Sequence, residues 1–126
     1  MRLVRRKLPD LRILFDQGTP VPLRRHLSSH EVATAFELGW SSITNGALLA
    51  EAEAQGFDIL ITTDRNLRYQ QDLSSRRIAI LVLTTTSWPR IQQALPEVAE
   101  SVDRWVPGAY TEVLIPCTGG GRNIRS

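Results

Sequence analysis

Apolar residues in this chain fall into short runs separated by polar turns, and two of the runs end on an aspartate. Ile13-Leu14-Phe15 leads into Asp16, and Ile59-Leu60-Ile61-Thr62-Thr63 leads into Asp64. Runs of this length without alternation read as strands buried on both faces, the habit of parallel sheets covered by helices. Residues 11–15 form the first predicted strand. Gln17-Gly18-Thr19-Pro20 then reads as a tight turn, with Thr19 as N-cap and Pro20 in the first helical position. A short helix follows to about Leu27, with Val21 and Leu27 turned inward. After a turn at Ser28-Ser29-His30, residues 31–36 form a weaker strand through Val32, Ala33 and Ala35, and residues 38–42 are irregular around Gly39.

The next helix is predicted from Asn45, as N-cap, to Gly56, a suitable C′ residue, with Leu48, Leu49 and Ala52 on one face. The strand 58–62 starts only two residues later, the spacing of an α/β unit. Residues 65–73 suggest a short helix, and 78–83 an interior strand with the most continuous β-branched and aliphatic run. Residues 88–106 carry Ile91, Leu95, Val98, Val102 and Trp105 at three- and four-residue steps, a long amphipathic helix that Pro96 must kink or split. Residues 110–115 can close the sheet as an edge strand before Pro116. Strands alternating with helices predict an α/β domain: a three-layer α/β/α sandwich with a mainly parallel sheet of four to five strands. The core spans 11–116, with a basic N-terminal extension over 1–10 and a flexible Gly/Arg tail over 117–126.

Composition narrows the class. A chain of 126 residues with 42% hydrophobic and 22% charged residues can bury one real core. No apolar stretch reaches the roughly 18–20 residues of a membrane span, and no long apolar segment follows the basic start, so a cytoplasmic protein without a membrane segment is expected. Cys117 is alone, which excludes an internal disulfide and a cysteine-built metal site. The cations are fourteen arginines and one lysine, Lys7. They cluster at Arg2, Arg5, Arg6 and Lys7, at Arg24-Arg25, and at Arg65 and Arg68 beside Asp64, where they would suit phosphate groups.

The paired aspartates carry the chemistry. In open α/β sheets ligands bind outside the carboxyl ends of the strands. Two carboxylates about 4 Å apart repel by ~1 kcal/mol in water and ~4 kcal/mol at an effective dielectric near 20, so a cation such as Mg²⁺ would relieve them. The competing reading is that each aspartate merely caps a helix. Glu51 and Glu53 flank the apolar face of their helix and are expected in solvent. Asp58 begins its strand, at the wrong end of the sheet. His26 and His30 straddle a helix end and do not read as a metal pair. Trp105 fits the core stripe, whereas Trp40 is the aromatic expected at the surface. Gly-x-Gly-x-x-Gly, Gly-Lys-Ser/Thr and nucleophile-elbow patterns are absent.

The segments Ile13-Leu14-Phe15-Asp16-Gln17-Gly18-Thr19-Pro20 and Gly56-Phe57-Asp58-Ile59-Leu60-Ile61-Thr62-Thr63-Asp64-Arg65-Asn66-Leu67 resemble the PIN-like superfamily, and in particular its small bacterial members often encoded beside an antitoxin. The likeness runs over residues 11–83. It implies a ribonuclease dependent on Mg²⁺ or Mn²⁺, with acids meeting at the carboxyl edge of the sheet. By this likeness Asp16 and Asp64 bind metal, Glu37 is the looser match to a third acid, and Thr62 and Thr63 orient ligands or water. Arg65, Arg68 and Asn66 lie where substrate would be held. The position of the remaining family acid is Asn45, and that of a further acid in some relatives is Asn66. An amide offers one neutral oxygen where a carboxylate offers two charged ones, so the site is expected to be partly degenerate or limited to one metal. The likeness further implies an RNA substrate, a small antitoxin partner and a possible homodimer. Retaining the fold without the metal, as an RNA- or protein-binding module, is the alternative.

Overall fold

The computed structural model describes residues 11–67 and 76–116. Five strands, β1 (Arg12–Phe15), β2 (Glu31–Thr34), β3 (Ile59–Thr62), β4 (Ala79–Leu83) and β5 (Tyr110–Val113), form one sheet in the order β2-β1-β3-β4-β5. Every neighbouring pair is parallel. Between them lie a 3-10 helix over Val21–Leu27, α1 (Asn45–Ala54), α2 (Trp88–Gln93) and α3 (Leu95–Asp103). The expected three-layer α/β/α sandwich is what forms, with an all-parallel sheet of five strands. Among the described residues no helix is long and apolar enough to cross a membrane.

Alternation within each strand divides the core in two. Ile13, Phe15, Ile59, Ile61, Leu81 and Leu83 face one layer, where they pack with Leu23 and Leu27 of the 3-10 helix and with Ile91, Val98 and Val102 of α2 and α3. Leu14, Leu60, Ile80 and Val82 face the other layer, against Leu48, Leu49 and Ala52 of α1. All four residues of β3 and all five of β4 are buried, which explains their unbroken apolar run. β3 is the middle strand, with β4 interior beside it and β5 at an edge.

Several local expectations are corrected by side-chain chemistry. Thr19 does not cap the helix after it: the 3-10 helix has no side-chain cap, and the Thr19 hydroxyl lies against Asp16 and the Ile61 carbonyl instead. Val21 points outward, 56% exposed, because the 3-10 geometry gives the inward positions to Leu23 and Leu27. Thr44, not Asn45, caps α1, its hydroxyl accepting the Ala47 N–H; Asn45 is the first helical residue and its amide is free to reach elsewhere. Gly56, at φ +83°, provides the left-handed residue that ends this helix. Trp40 is half-buried, edge-on to Phe57 at 6.3 Å, rather than at the surface. Glu53 is not solvated: its carboxylate accepts the N–H groups of Arg77 and Ile78 and pairs with Arg76 at 3.1 Å. Pro96 splits the predicted long helix, with Ala94 as the break and Pro96 in the first turn of α3, where its missing N–H costs nothing. The greater part of the helix expected at 65–73, like the N-terminal extension and the tail, lies outside the described residues.

Candidate functional site

Strand register brings the candidate residues to one edge. Phe15 pairs with Thr34 on one side and Ile61 on the other, so Asp16, the turn after β2 and the Thr62–Asp64 segment all emerge at the carboxyl end of the sheet. In the order β2-β1-β3, the chain leaves β1 toward opposite sides, and the crevice between β1 and β3 is the switch point where open α/β sheets bind ligands.

Thr62 joins the two aspartates. Its side chain, 1% exposed, donates its hydroxyl proton to Asp16 Oδ2 and accepts the Asp64 N–H at 3.0 Å. The other carboxylate oxygen, Asp16 Oδ1, accepts the Gly18 N–H at 3.2 Å and lies 2.8 Å from the Thr19 hydroxyl. That hydroxyl is also 2.8 Å from the Ile61 carbonyl, and its one proton serves one acceptor at a time. A Cβ on Gly18 would come within 2.6 Å of Thr63 Oγ1, so any other residue there requires the Thr63 side chain to move. Asp64 is held from both sides: Asn45 Nδ2 donates to Oδ2 at 3.0 Å, and the Asn66 N–H donates to Oδ1 at 3.0 Å. An amide meets a carboxylate only through its NH₂, so Asn45 here donates a hydrogen bond to Asp64 and leaves its charge in place.

Glu37 belongs to a different arrangement. Arg24 grips it with two guanidinium nitrogens at 2.8 and 2.9 Å, and its Oε1 accepts the Thr34 N–H at 3.0 Å while its own N–H donates to Thr34 Oγ1. Arg24, first, and then the Thr34 N–H hold the Glu37 carboxyl below the usual glutamate range. Asp16 and Glu37 line the same open cleft of about 340 Å³, together with Thr19, Val21, Arg24 and Phe36. Arg65 is exposed, Thr63 half-buried, and Arg68 lies outside the described residues.

The structure therefore brings together Asp16, Thr62, Asp64, Asn45 and the Asn66 backbone, and sets Glu37 beside Asp16 in a cleft but tied to Arg24. Among the described residues no three His, Cys, Asp or Glu side chains gather closely enough to hold a metal ion. The donor set fits at most one hard cation on Asp16 and Asp64, with water and phosphate oxygens as its other ligands. It does not fit a two-metal centre.

Thr19, Gly18 and Arg24 are the participants that motif reading passed over. Two signals were present in the sequence. Asp16-Gln17-Gly18 is the pattern of a side chain accepting the N–H two residues on, and Thr34-x-x-Glu37 is the pattern of a reciprocal capping box. Histidines supply no ligands here: His26 stacks against Trp88, and His30 Nδ1 accepts the Leu11 N–H. No protein-family model matches this chain, and neither a curated protein nor a solved structure matches it.

Proposed function

We propose that this chain is a PIN-like domain that cleaves single-stranded RNA using one Mg²⁺ or Mn²⁺ held by Asp16 and Asp64. The observation that supports the reading is the Thr62 hydroxyl bridge, which links the Asp16 carboxylate to the Asp64 backbone N–H at the carboxyl edge of a parallel sheet. A bound cation would polarise the phosphodiester and a water molecule there. The chain itself does the positioning. Thr62 and Gly18 fix the Asp16 carboxylate, Asn45 and the Asn66 N–H fix Asp64, and Arg65 and Arg68 supply charge for the phosphate backbone. The same likeness brings a toxin role, a small antitoxin partner, a homodimer and a cytoplasmic location into the proposal.

A second reading, a non-catalytic binding module, is favoured by one specific feature: the Glu37 and Asp64 carboxylates are each engaged by a protein donor, the Arg24 guanidinium and the Asn45 amide. Calorimetric titration with Mn²⁺, paired with cleavage of an unstructured RNA, separates the two. The nuclease reading expects Mn²⁺ heat and cleavage by the wild type, both lost in Asp16→Asn/Asp64→Asn. RNA binding with no heat and no cleavage by the wild type establishes the module instead.

A further inference from the structure

The cleft that Asp16 shares with Glu37 has an apolar wall that the nuclease chemistry does not use. Phe36 is 78% exposed and Val21 is 56% exposed, and both line this cleft. Exposed apolar groups that line one cleft together, rather than scattered singly, are the kind that mark a binding surface. Phe36 sits in the turn after β2, between Thr34 and Glu37, and the hydrogen bonds exchanged by those two residues make that turn rigid. The backbone that carries the ring is thus held in place. Cations complement it. Arg24 lines the same cleft but is engaged by Glu37 and the Val32 carbonyl, and a shallower depression that shares Val21 and Arg24 with it adds Arg25, an exposed guanidinium with no ion pair among the described residues.

An exposed ring, a cationic rim and a carboxylate in a cleft of about 340 Å³ match one ligand chemistry. A nucleobase has a flat apolar face to stack and is joined to a phosphate that arginine forks can hold. We propose that Phe36 and Val21 form a nucleobase subsite next to Asp16, which receives one unpaired base of a nucleic-acid strand whose phosphate lies toward Arg25. Because every base has a stacking face, the subsite selects unpaired over paired strands and favours purines, the larger faces, over pyrimidines. This deepens the ribonuclease reading and rests on it for the placement of the strand, but it makes its own demand: binding depends on Phe36 even where no cleavage occurs.

The test is fluorescence anisotropy with labelled hexanucleotides in EDTA, where the chain binds without cutting. The probes are an adenine hexamer, a uracil hexamer and an abasic hexamer of the same charge. Phe36→Ala is expected to weaken adenine-hexamer binding by about 5- to 100-fold, the loss of one stacked base. Phe36→Trp keeps or tightens it, and the abasic strand binds weakly and equally to all variants. At 78% exposure the ring carries little of the core, so Phe36→Ala folds as the wild type does, checked by its melting curve. Unchanged adenine-hexamer affinity in Phe36→Ala overturns the subsite and leaves the ring to a protein partner. If the variant still cleaves RNA in Mn²⁺, the ribonuclease reading survives that failure. Conversely, a Phe36-dependent affinity in a wild type that never cleaves sustains the subsite and removes the nuclease. A wild type that binds no hexamer in EDTA overturns the subsite, and cleavage in Mn²⁺ then decides the nuclease reading separately.

Discussion

Asn45 decides what Asp64 meets at the start of α1. Its amide lies 3.0 Å from Asp64 Oδ2, where it donates a hydrogen bond that leaves the carboxylate charge in place. Replacing it with aspartate makes two opposing contributions. An acid in the first helical turn gains about 0.3–1 kcal/mol from the helix dipole. Two carboxylates at this separation cost about 1–4 kcal/mol between full solvent screening and an effective dielectric near 20, and the donor is lost as well. Repulsion wins. Asn45→Asp is therefore expected to lose about 1–3 kcal/mol in urea unfolding with EDTA present, and to regain it on addition of Mn²⁺ with a larger calorimetric heat than the wild type gives. Equal stability of variant and wild type in EDTA sinks this account of Asn45. The residue was identifiable in the sequence as the odd member of an acidic pattern, but its contact was not. A side chain expected to cap its own helix turned out to cross to another strand, because Thr44 one residue earlier had taken the cap.

Glu53 shows the same logic for a whole element. It sits on α1, yet its carboxylate holds the N–H groups of Arg77 and Ile78, the lead-in to β4, so it ties a helix to the start of a strand. Burial pushes its carboxyl up, but the Ile78 and Arg77 N–H groups and the Arg76 guanidinium outweigh that and hold it below the usual glutamate range. A carboxylate whose pKa is lowered by folding stabilises the protein above its unfolded pKa of about 4.3 and loses that contribution as pH falls through the lower folded value. Glu53→Gln should thus lose about 1.5–3 kcal/mol at pH 7, the worth of hydrogen bonds to a charged group, and the gap to the wild type should close on descent from pH 4.5 to pH 3 in urea titrations. A gap that stays constant with pH contradicts it. Elements themselves were legible because burial on both faces writes an unbroken apolar run, as in β3 and β4, and because Pro96 forbids the continuous helix that its neighbours encourage. What stayed hidden were contacts across elements: a lone Glu53 on the flank of a helical stripe looks the same in sequence whether it meets water or the backbone of a strand 24 residues away.

At the scale of the molecule the question is why one edge of the sheet and not the other should bind. Both edges have a cleft. At the amino end of the strands a cavity of about 280 Å³ is lined by Glu53, Phe57, Asp58, Arg77 and Trp105. Its carboxylates and its indole are committed to the fold: Asp58 Oδ2 accepts the Arg12 N–H at 2.9 Å, the Trp105 indole N–H donates to the Asp58 carbonyl at 3.0 Å, and Glu53 is held as described. At the carboxyl end Asp16 and Asp64 follow the adjacent strands β1 and β3, and an open cleft beside Asp16, on the β2 side, has Phe36 exposed and Arg24 and Arg25 beside it. Topology explains the difference, since only the carboxyl edge has a switch point at which successive connections part and leave space for a ligand. Backbone amide shifts followed by NMR during addition of an unpaired adenine hexamer in EDTA should accordingly move for residues 16–19, 24–25, 36–37 and 62–66. Those of Asp58, Arg77 and Trp105 should stay in place. Shifts concentrated at the amino end would transfer the binding site to the opposite edge, and the paired aspartates would then be left with the role of helix and turn caps alone.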